Sequence, residues 1–243
     1  MHFLVVLLCL VITVVEGANL PSFIKVCKPK EVDVSECIKE NVEILRPKFR
    51  QGIPELQIPA FRPLRIPSAD VKFGENFKAS LKNIQLRVPK SFEMKNFKVD
   101  LDHFRLQFTI RFPEIRSQAD YRLNGKLLIL NLDGTGFGRI DLFNLEATII
   151  ANGTIEKKNG TDYIVPDKID IQPKLEKMLI DLDNLFPNNK ELSVEANKIL
   201  NENQIVLFEE FSPLITNIVK GVISNYINNF FKRFSYQTLF PDK

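Results

Sequence analysis

Residues 190–234, KELSVEANKILNENQIVLFEEFSPLITNIVKGVISNYINNFFKRF, decide the fold. From Phe211 onward, apolar residues come in adjacent pairs every four positions: Leu214/Ile215, Ile218/Val219, Val222/Ile223, Tyr226/Ile227 and Phe230/Phe231, closed by Phe234. This is helical spacing. Each four-residue step overshoots a turn by about 40°, so the apolar stripe winds by about 200° between Phe211 and Phe231. A flat bilayer or a flat sheet would need a stripe that holds its direction. A winding stripe fits a helix covered from changing sides by a sheet that curls around it. Ser212-Pro213 is either the start of a separate helix or a kink in a continuous one. In the second case the helix from Lys190 to Phe234 runs about 65 Å.

The cover has to come from the preceding chain, which reads mostly as β-strand. Ser35 to Phe49 is the exception, a short helix with Ile38, Val42, Leu45 and Phe49 on one side, stopped by Pro47 and Gly52. Prolines 54, 59, 63 and 67 then forbid helix and central strand alike, which predicts an extended segment along a surface or edge. Strand signals begin at Val71. Phe97, Val99 and Leu101 alternate with polar residues, the phase slips across His103-Phe104, and Leu106, Phe108, Ile110 and Phe112 resume the alternation. An earlier slip falls near Lys82-Asn83. Such slips predict bulges, hence a twisted and strongly curved sheet. Asn124-Gly125 is a hairpin turn or another bulge, and KLLILNL reads as a strand covered on both faces. Gly134, Gly136 and Gly138 precede a strand, not a helix, so they let a strand bend or another backbone approach. A hairpin around Lys158-Asn159-Gly160 leads to strands over 167–182, and the C-terminal helical region starts near Lys190.

At the other end, Phe3 to Val15 is an uncharged apolar run too short to span a bilayer comfortably. With small residues at the cleavage position, residues 1–17 read as a signal peptide and 18–243 as one mature domain. The net charge of +3 rises by one when Glu16 is removed, and charges are interspersed. No concentrated basic stripe points to nucleic acid. With 44% hydrophobic residues and 20 Phe, the chain can bury a large core. Cys9 leaves with the leader, and Cys27 and Cys37 read as a disulfide in a secreted chain. Asn152-Gly153-Thr154 and Asn159-Gly160-Thr161 are glycosylation sequons, and their Asn-Gly pairs also signal turns.

Enzymatic chemistry finds few residues to work with. The mature chain has one histidine, His103, and lacks the GxSxG nucleophile elbow of a lipid-ester hydrolase. One imidazole builds no His-based metal site. The acidic pairs Asp100/Asp102, Asp181/Asp183 and Glu209/Glu210 read as solvated faces. The sequence therefore predicts no enzyme, no cofactor and no metal. What remains is phenylalanine in strands facing an apolar helix. Phe73, Phe77, Phe97, Phe104, Phe108, Phe112, Phe137 and Phe143, with Ile215, Val219, Val222, Tyr226 and Phe230 of the helix, are the expected lining of an elongated apolar cavity. Tyr121 and Tyr226 are the candidate polar anchors. A lipid chain burying about 350 Å² there would gain roughly 9 kcal/mol before association costs. The alternative is a membrane-surface protein that lays the C-terminal helix on lipid.

Several stretches carry a resemblance: LPSFIKVCKPKEVDVSECIKENVEILRPKFRQGIPELQIP, YRLNGKLLILNLDGTGFGRIDLFNLEATI, NLFPNNKELSVEANKILNENQIVLFEEFSPLI and the terminal LFPDK. In their order and spacing the chain resembles the insect takeout / juvenile-hormone-binding-protein family over nearly all of the mature sequence. The resemblance implies an α+β fold, a long C-terminal helix wrapped by a highly curved antiparallel sheet, the lipid-binding super-roll of bactericidal/permeability-increasing-type (TULIP-like) domains, enclosing an apolar tunnel. It implies a secreted, monomeric carrier of juvenile hormone, a terpenoid or a fatty ligand, linked to circadian output, feeding and behaviour. The absence of any cysteine after Cys37 is similar to the takeout branch, and Gln204 stands where the family usually has tryptophan.

Overall fold

The computed structural model describes residues 19–60, 63–74, 76–89 and 91–241, and of Val222 the backbone alone. The leader expected at 1–17 lies outside the described residues. One antiparallel sheet of seven strands dominates: β1 (Leu64–Phe73), β2 (Phe77–Arg87), β3 (Glu93–Asp100), β4 (Arg105–Leu127), β5 (Leu130–Lys158), β6 (Thr161–Lys174) and β7 (Lys177–Leu182). Its spine is the β4–β5 hairpin, paired from Arg105 opposite Asn152 to Leu127 opposite Leu130. Two shorter strands lie along each flank of the spine: β2 and β3 along β4, β7 and β6 along β5, with β1 outside β2. The sheet does not close.

Asparagines bend it. Asn83 in β2, Asn96 in β3 and Asn144 in β5 all have positive φ (53°, 54° and 52°), a left-handed conformation that asparagine tolerates better than most residues. The β2–β4 register shifts between Lys82 and Gln85, as the phase slip predicts, and the β3–β4 register shifts between Lys95 and Lys98. At Asn144 the buried parity changes: Leu145 pairs with Phe112, and Leu142 with Ile115. The slip at His103-Phe104, by contrast, is no bulge. It is the turn between β3 and β4, with Phe104 at φ 46°.

Asn124-Gly125 is neither turn nor bulge. Both residues stay in β4, paired with Asp133 and Leu132, and the hairpin turns at Leu128-Ile129. KLLILNL is therefore two strand ends around a tip, where Ile129 is 77% exposed. Gly125 is needed for another reason: at φ 122° a Cβ there would lie 1.7 Å from the carbonyl oxygen of Asn76. Gly134 and Gly136 also admit a neighbouring backbone, the carbonyls of Leu185 and Asp183 at 2.8 and 2.2 Å from a hypothetical Cβ. Of the prolines, Pro54 opens a short 3-10 turn and Pro67 sits in β1, an edge strand that starts at Leu64 rather than Val71.

Helices cover the edges of the sheet at β3 and β7. α1 (Val34–Leu45) is capped by Asp33, whose carboxylate accepts from Ser35 N at 2.8 Å and Glu36 N at 3.2 Å. Ser35 Oγ in turn accepts from Val99 N of β3 at 3.0 Å. The Cys27–Cys37 disulfide and buried Asn41, which bonds both the N–H and the carbonyl of Lys25 at 2.8 Å, tie the N-terminal arm to α1. α2 (Lys190–Glu202) covers β7 with side-chain amides. Asn201 accepts from Ile180 N (2.9 Å) and donates to Ile180 O (2.7 Å), Asn197 does the same for Leu182 (2.9 Å each), and Gln204 accepts from Met178 N. Helical steps of four and three residues thus match the two-residue repeat of a strand edge.

The helical region breaks at Asn203, not at Pro213. Asn203 caps α2, and α3 (Gln204–Arg233) follows with Pro213 inside it. The carbonyl that Pro213 cannot serve, Glu209 O, accepts from Ser212 Oγ at 3.1 Å. At 30 residues, α3 is about 45 Å long, shorter than the single helix the sequence allows.

Three packed clusters form the core. The first joins Leu123, Leu127, Leu130 and Leu132 of the spine to Ala196, Leu200, Leu207 and Phe208 of the helices. The second joins the N-terminal arm and disulfide to Phe230, Phe234 and the last helical turn α4 (Tyr236–Leu239). The third, in between, sets Ala147, Ile149 and Ile169 against Ile223 and Ile227. Replacing Asn201 by alanine leaves the Ile180 N–H and C=O without their partner, so we expect a loss of about 2–4 kcal/mol in urea unfolding. Asn217→Ala, at an exposed position of α3, should cost less than about 0.5 kcal/mol. Equal losses would mean that the amide ladder contributes nothing.

Candidate functional site

The site is the apolar face of α3 and the concave face of the sheet opposite it. Along the backbone, α3 runs closest to β6 and β7, and Lys220 pairs with Asp170 of β6 at 3.3 Å. Side chains alone reach the other strands. The packed direction rotates as the stripe predicts. Leu207, Phe208 and Phe211 pack into the first cluster; Ile223, Ile227 and Phe234, about 130° further round the helix axis, pack into the other two. This places the stripe inside the fold rather than on a membrane surface.

Aromatic side chains meet at both ends. Phe73 and Phe77 lie 5.0 and 5.8 Å from Phe211. Phe230 lies 5.3 Å from Phe231 and 5.1 Å from Phe234. Between Phe211 and Phe230 the helix advances about 28 Å. Over that span, the apolar side chains of Leu214, Ile218, Val219 and Tyr226 are only half-buried, Ile215 is 47% exposed, and none belongs to a core cluster. Leu214 and Ile218 lie within about 60° of the exposed positions Gly221, Asn225 and Lys232, whereas Val219 and Tyr226 sit about 100–180° round α3 from Asn217, Gly221, Asn225 and Lys232, with Ile215 beside them. Across from them, the concave face presents Phe97 stacked on Phe108 at 5.7 Å, and Phe112 against Phe92 at 5.9 Å. Leu106, Ile110 and Val99 continue this face by strand alternation. Phe108 and Ile110 of this face already pack in the third cluster with Ile223 and Ile227; the apolar side chains beside them that lie outside the core clusters can take up a nonpolar molecule by burial and dispersion.

Not every expected lining residue is there. Phe137 and Phe143 alternate with the core residues Leu132, Ile140 and Leu142, so they lie on the convex face. Arg139 and Lys177 stand over their rings at 5.8 and 5.9 Å. Phe104 is in the β3–β4 turn, 6.0 Å from Tyr236. The side chain of Val222 lies outside the described residues. Tyr121 is 4% exposed within the first cluster and donates its hydroxyl to Asp183 O. Burial, with Asp183 adding to it, pushes its phenol up to about 12, so it remains a donor committed to the protein, not to a ligand. Leu106, on the concave face, is legible only as strand alternation.

His103 is exposed at the β3–β4 turn, its Nδ1 2.7 Å from Asp100. Hydrogen bonds from the backbone and ring of His103 hold the Asp100 carboxyl below its usual range. Among the described residues, no three histidine, cysteine or acidic side chains gather where they could hold a metal, and no helix is long and apolar enough to cross a membrane. Asn159 occupies the exposed β5–β6 turn, whereas Asn152 lies half-buried in β5 at a register shift. Two depressions, of about 500 and 450 Å³, lie elsewhere and are lined largely by amides, among them Asn76, Asn124 and Asn131 in one and Asn184, Asn188 and Asn189 in the other.

Residues 4–241 match the family of haemolymph juvenile hormone binding proteins (JHBP). The chain is 26% identical over 231 residues to the circadian clock-controlled protein daywake of Drosophila melanogaster, covering 90% of this chain and 88% of that one. It is likewise 26% identical over 233 residues to daywake of Drosophila yakuba, with the same coverage. The crystal structure of Epiphyas postvittana Takeout 1 superposes with a TM-score of 0.74 at 23% identity, over 83% of this chain and 94% of that one. That likeness establishes the fold, α+β with a curved antiparallel sheet and C-terminal helices.

A half-buried side chain outside the core clusters contributes less to folding than one inside them. Ile218→Ala should therefore cost less than about 1 kcal/mol, and Ile227→Ala, inside the third cluster, about 2–3 kcal/mol. Urea denaturation of the two variants reads the difference; a cost for Ile218 as large as that for Ile227 would show that the surface is packed core.

Proposed function

The chain belongs to the haemolymph juvenile hormone binding protein family, and on that premise we propose that it is a secreted carrier holding one small hydrophobic molecule between α3 and the concave face of the sheet. The observation that carries this reading is the pair of half-buried side chains Val219 and Tyr226 on α3, outside the core clusters and turned away from its exposed positions. A carrier needs such a surface; a chain that only had to fold would pack it. The ligand class is a terpenoid or fatty molecule, juvenile hormone included, held in a tunnel with the aromatic groups at either end as stops. The daywake relatives supply the reason to include clock-linked signalling in the proposal. We take the protein to act as a monomer, without enzymatic activity and without stable insertion into membranes.

Organic extracts of the protein purified from insect cells should yield a co-purifying lipophilic molecule by mass spectrometry. The apolar fluorophore N-phenyl-1-naphthylamine should bind with micromolar or tighter affinity, and Val219→Asp should weaken it at least tenfold, because a carboxylate on that surface is costly to desolvate. Absence of both a co-purifying molecule and fluorophore binding would end the carrier reading. Secretion is tested separately: the mature protein should begin at Ala18, and a glycosidase should lower its mass through Asn159 and Asn152. An intact N-terminus in the culture medium would remove the signal peptide.

A further inference from the structure

The carrier surface is apolar, yet one hydroxyl on it has no hydrogen-bond partner among the described residues. Elsewhere on the concave side, hydroxyls are engaged. Tyr121 donates to Asp183 O, Ser117 donates to Ile140 O at 2.6 Å, and Thr216 donates to Ser212 O. Tyr226 differs. Its side chain is half-buried, and its hydroxyl makes no hydrogen bond to any described residue. By helical geometry it points about 100–180° away from the exposed positions Asn225, Lys232, Gly221 and Asn217. It therefore lies on the apolar arc with Val219, not on the solvent side. Along the axis it stands between Ile223 and Ile227 of the middle cluster and Phe230, one turn from the aromatic group that ends the span.

We infer that the Tyr226 hydroxyl is the polar anchor of the carrier, binding an oxygen of an amphiphilic ligand. The head group, a hydroxyl, carboxyl or ester oxygen, lies at the Phe230 end, and the hydrocarbon extends along Val219 and Ile215 toward Phe211. The inference rests on the carrier reading and narrows it to ligands with one oxygenated end. A phenol at this place both donates and accepts, so it serves an alcohol as well as a carbonyl. In an otherwise apolar site, a single hydrogen bond orients the ligand more than it tightens it, because the rest of the contact is non-directional.

The test is displacement of N-phenyl-1-naphthylamine from the full mature protein by hexadecanol, hexadecanoic acid and hexadecane. Tyr226→Phe removes only the hydroxyl. It should weaken the two oxygenated competitors about three- to tenfold, the range of one net hydrogen bond, and leave hexadecane unchanged. Tyr121→Phe serves as the control: it should lower the melting temperature without separating the oxygenated from the plain competitors. If Tyr226→Phe weakens all three equally, or none, the anchor is wrong and the carrier stands. If the fluorophore fails to bind the unaltered protein, both fall.

Discussion

The free edge of β7 is the constraint on which the rest depends. One side of this six-residue strand pairs with β5; the other faces inward, where unmet N–H and C=O groups would be costly. Another strand could satisfy them and extend the sheet. Here Asn197 and Asn201 of α2, with Gln204 at the start of α3, take the place of that strand. The sheet stops at β7, and a helix is fixed at right register to its last strand. From there the chain can only continue as α3 along the concave side.

The position of α3 in turn creates the site. A helix anchored beside β6 and β7 reaches the far strands mainly through side chains, so it packs closely at its ends and at Ile223 and Ile227, while Val219 and Tyr226 stay outside the core clusters. Phenylalanines do the reaching: Phe211 to Phe73 and Phe77 at one end, Phe230 and Phe234 into the arm held by the Cys27–Cys37 disulfide at the other. Asparagines with positive φ in β2, β3 and β5 bend the sheet so that its apolar face follows the helix. The winding of the stripe lets one helix meet that face from different sides along its length.

Much of this was legible in particular residues. The paired apolar steps from Leu214 to Phe231 predicted a helix inside a curling sheet, and the slip at Asn83 predicted a bulge that the register shows. The glycines at 134 and 136 were legible as points of backbone approach. Other signals misled for identifiable reasons. Asn124-Gly125 looks like a turn because turns favour that pair, but the glycine is required by the nearby Asn76 carbonyl. Phe137 and Phe143 look like lining because they are aromatic and in a strand, but parity places them on the convex face. Pro213 looks like the helix break, yet Ser212 serves the carbonyl that proline leaves, and the break falls at Asn203.

By itself, the sequence determined the classes of element, the long apolar helix, the cysteine pair and the family, because periodicity, spacing and composition are local properties of the chain. Tertiary structure alone decided which side of each strand faces inward, how the β7 edge is closed, and which of two candidate tyrosines hydrogen-bonds a described residue. Those depend on partners distant in sequence. Tyr121 and Tyr226 are chemically the same residue, and the carbonyl of Asp183, brought across the concave face, engages the hydroxyl of one of them.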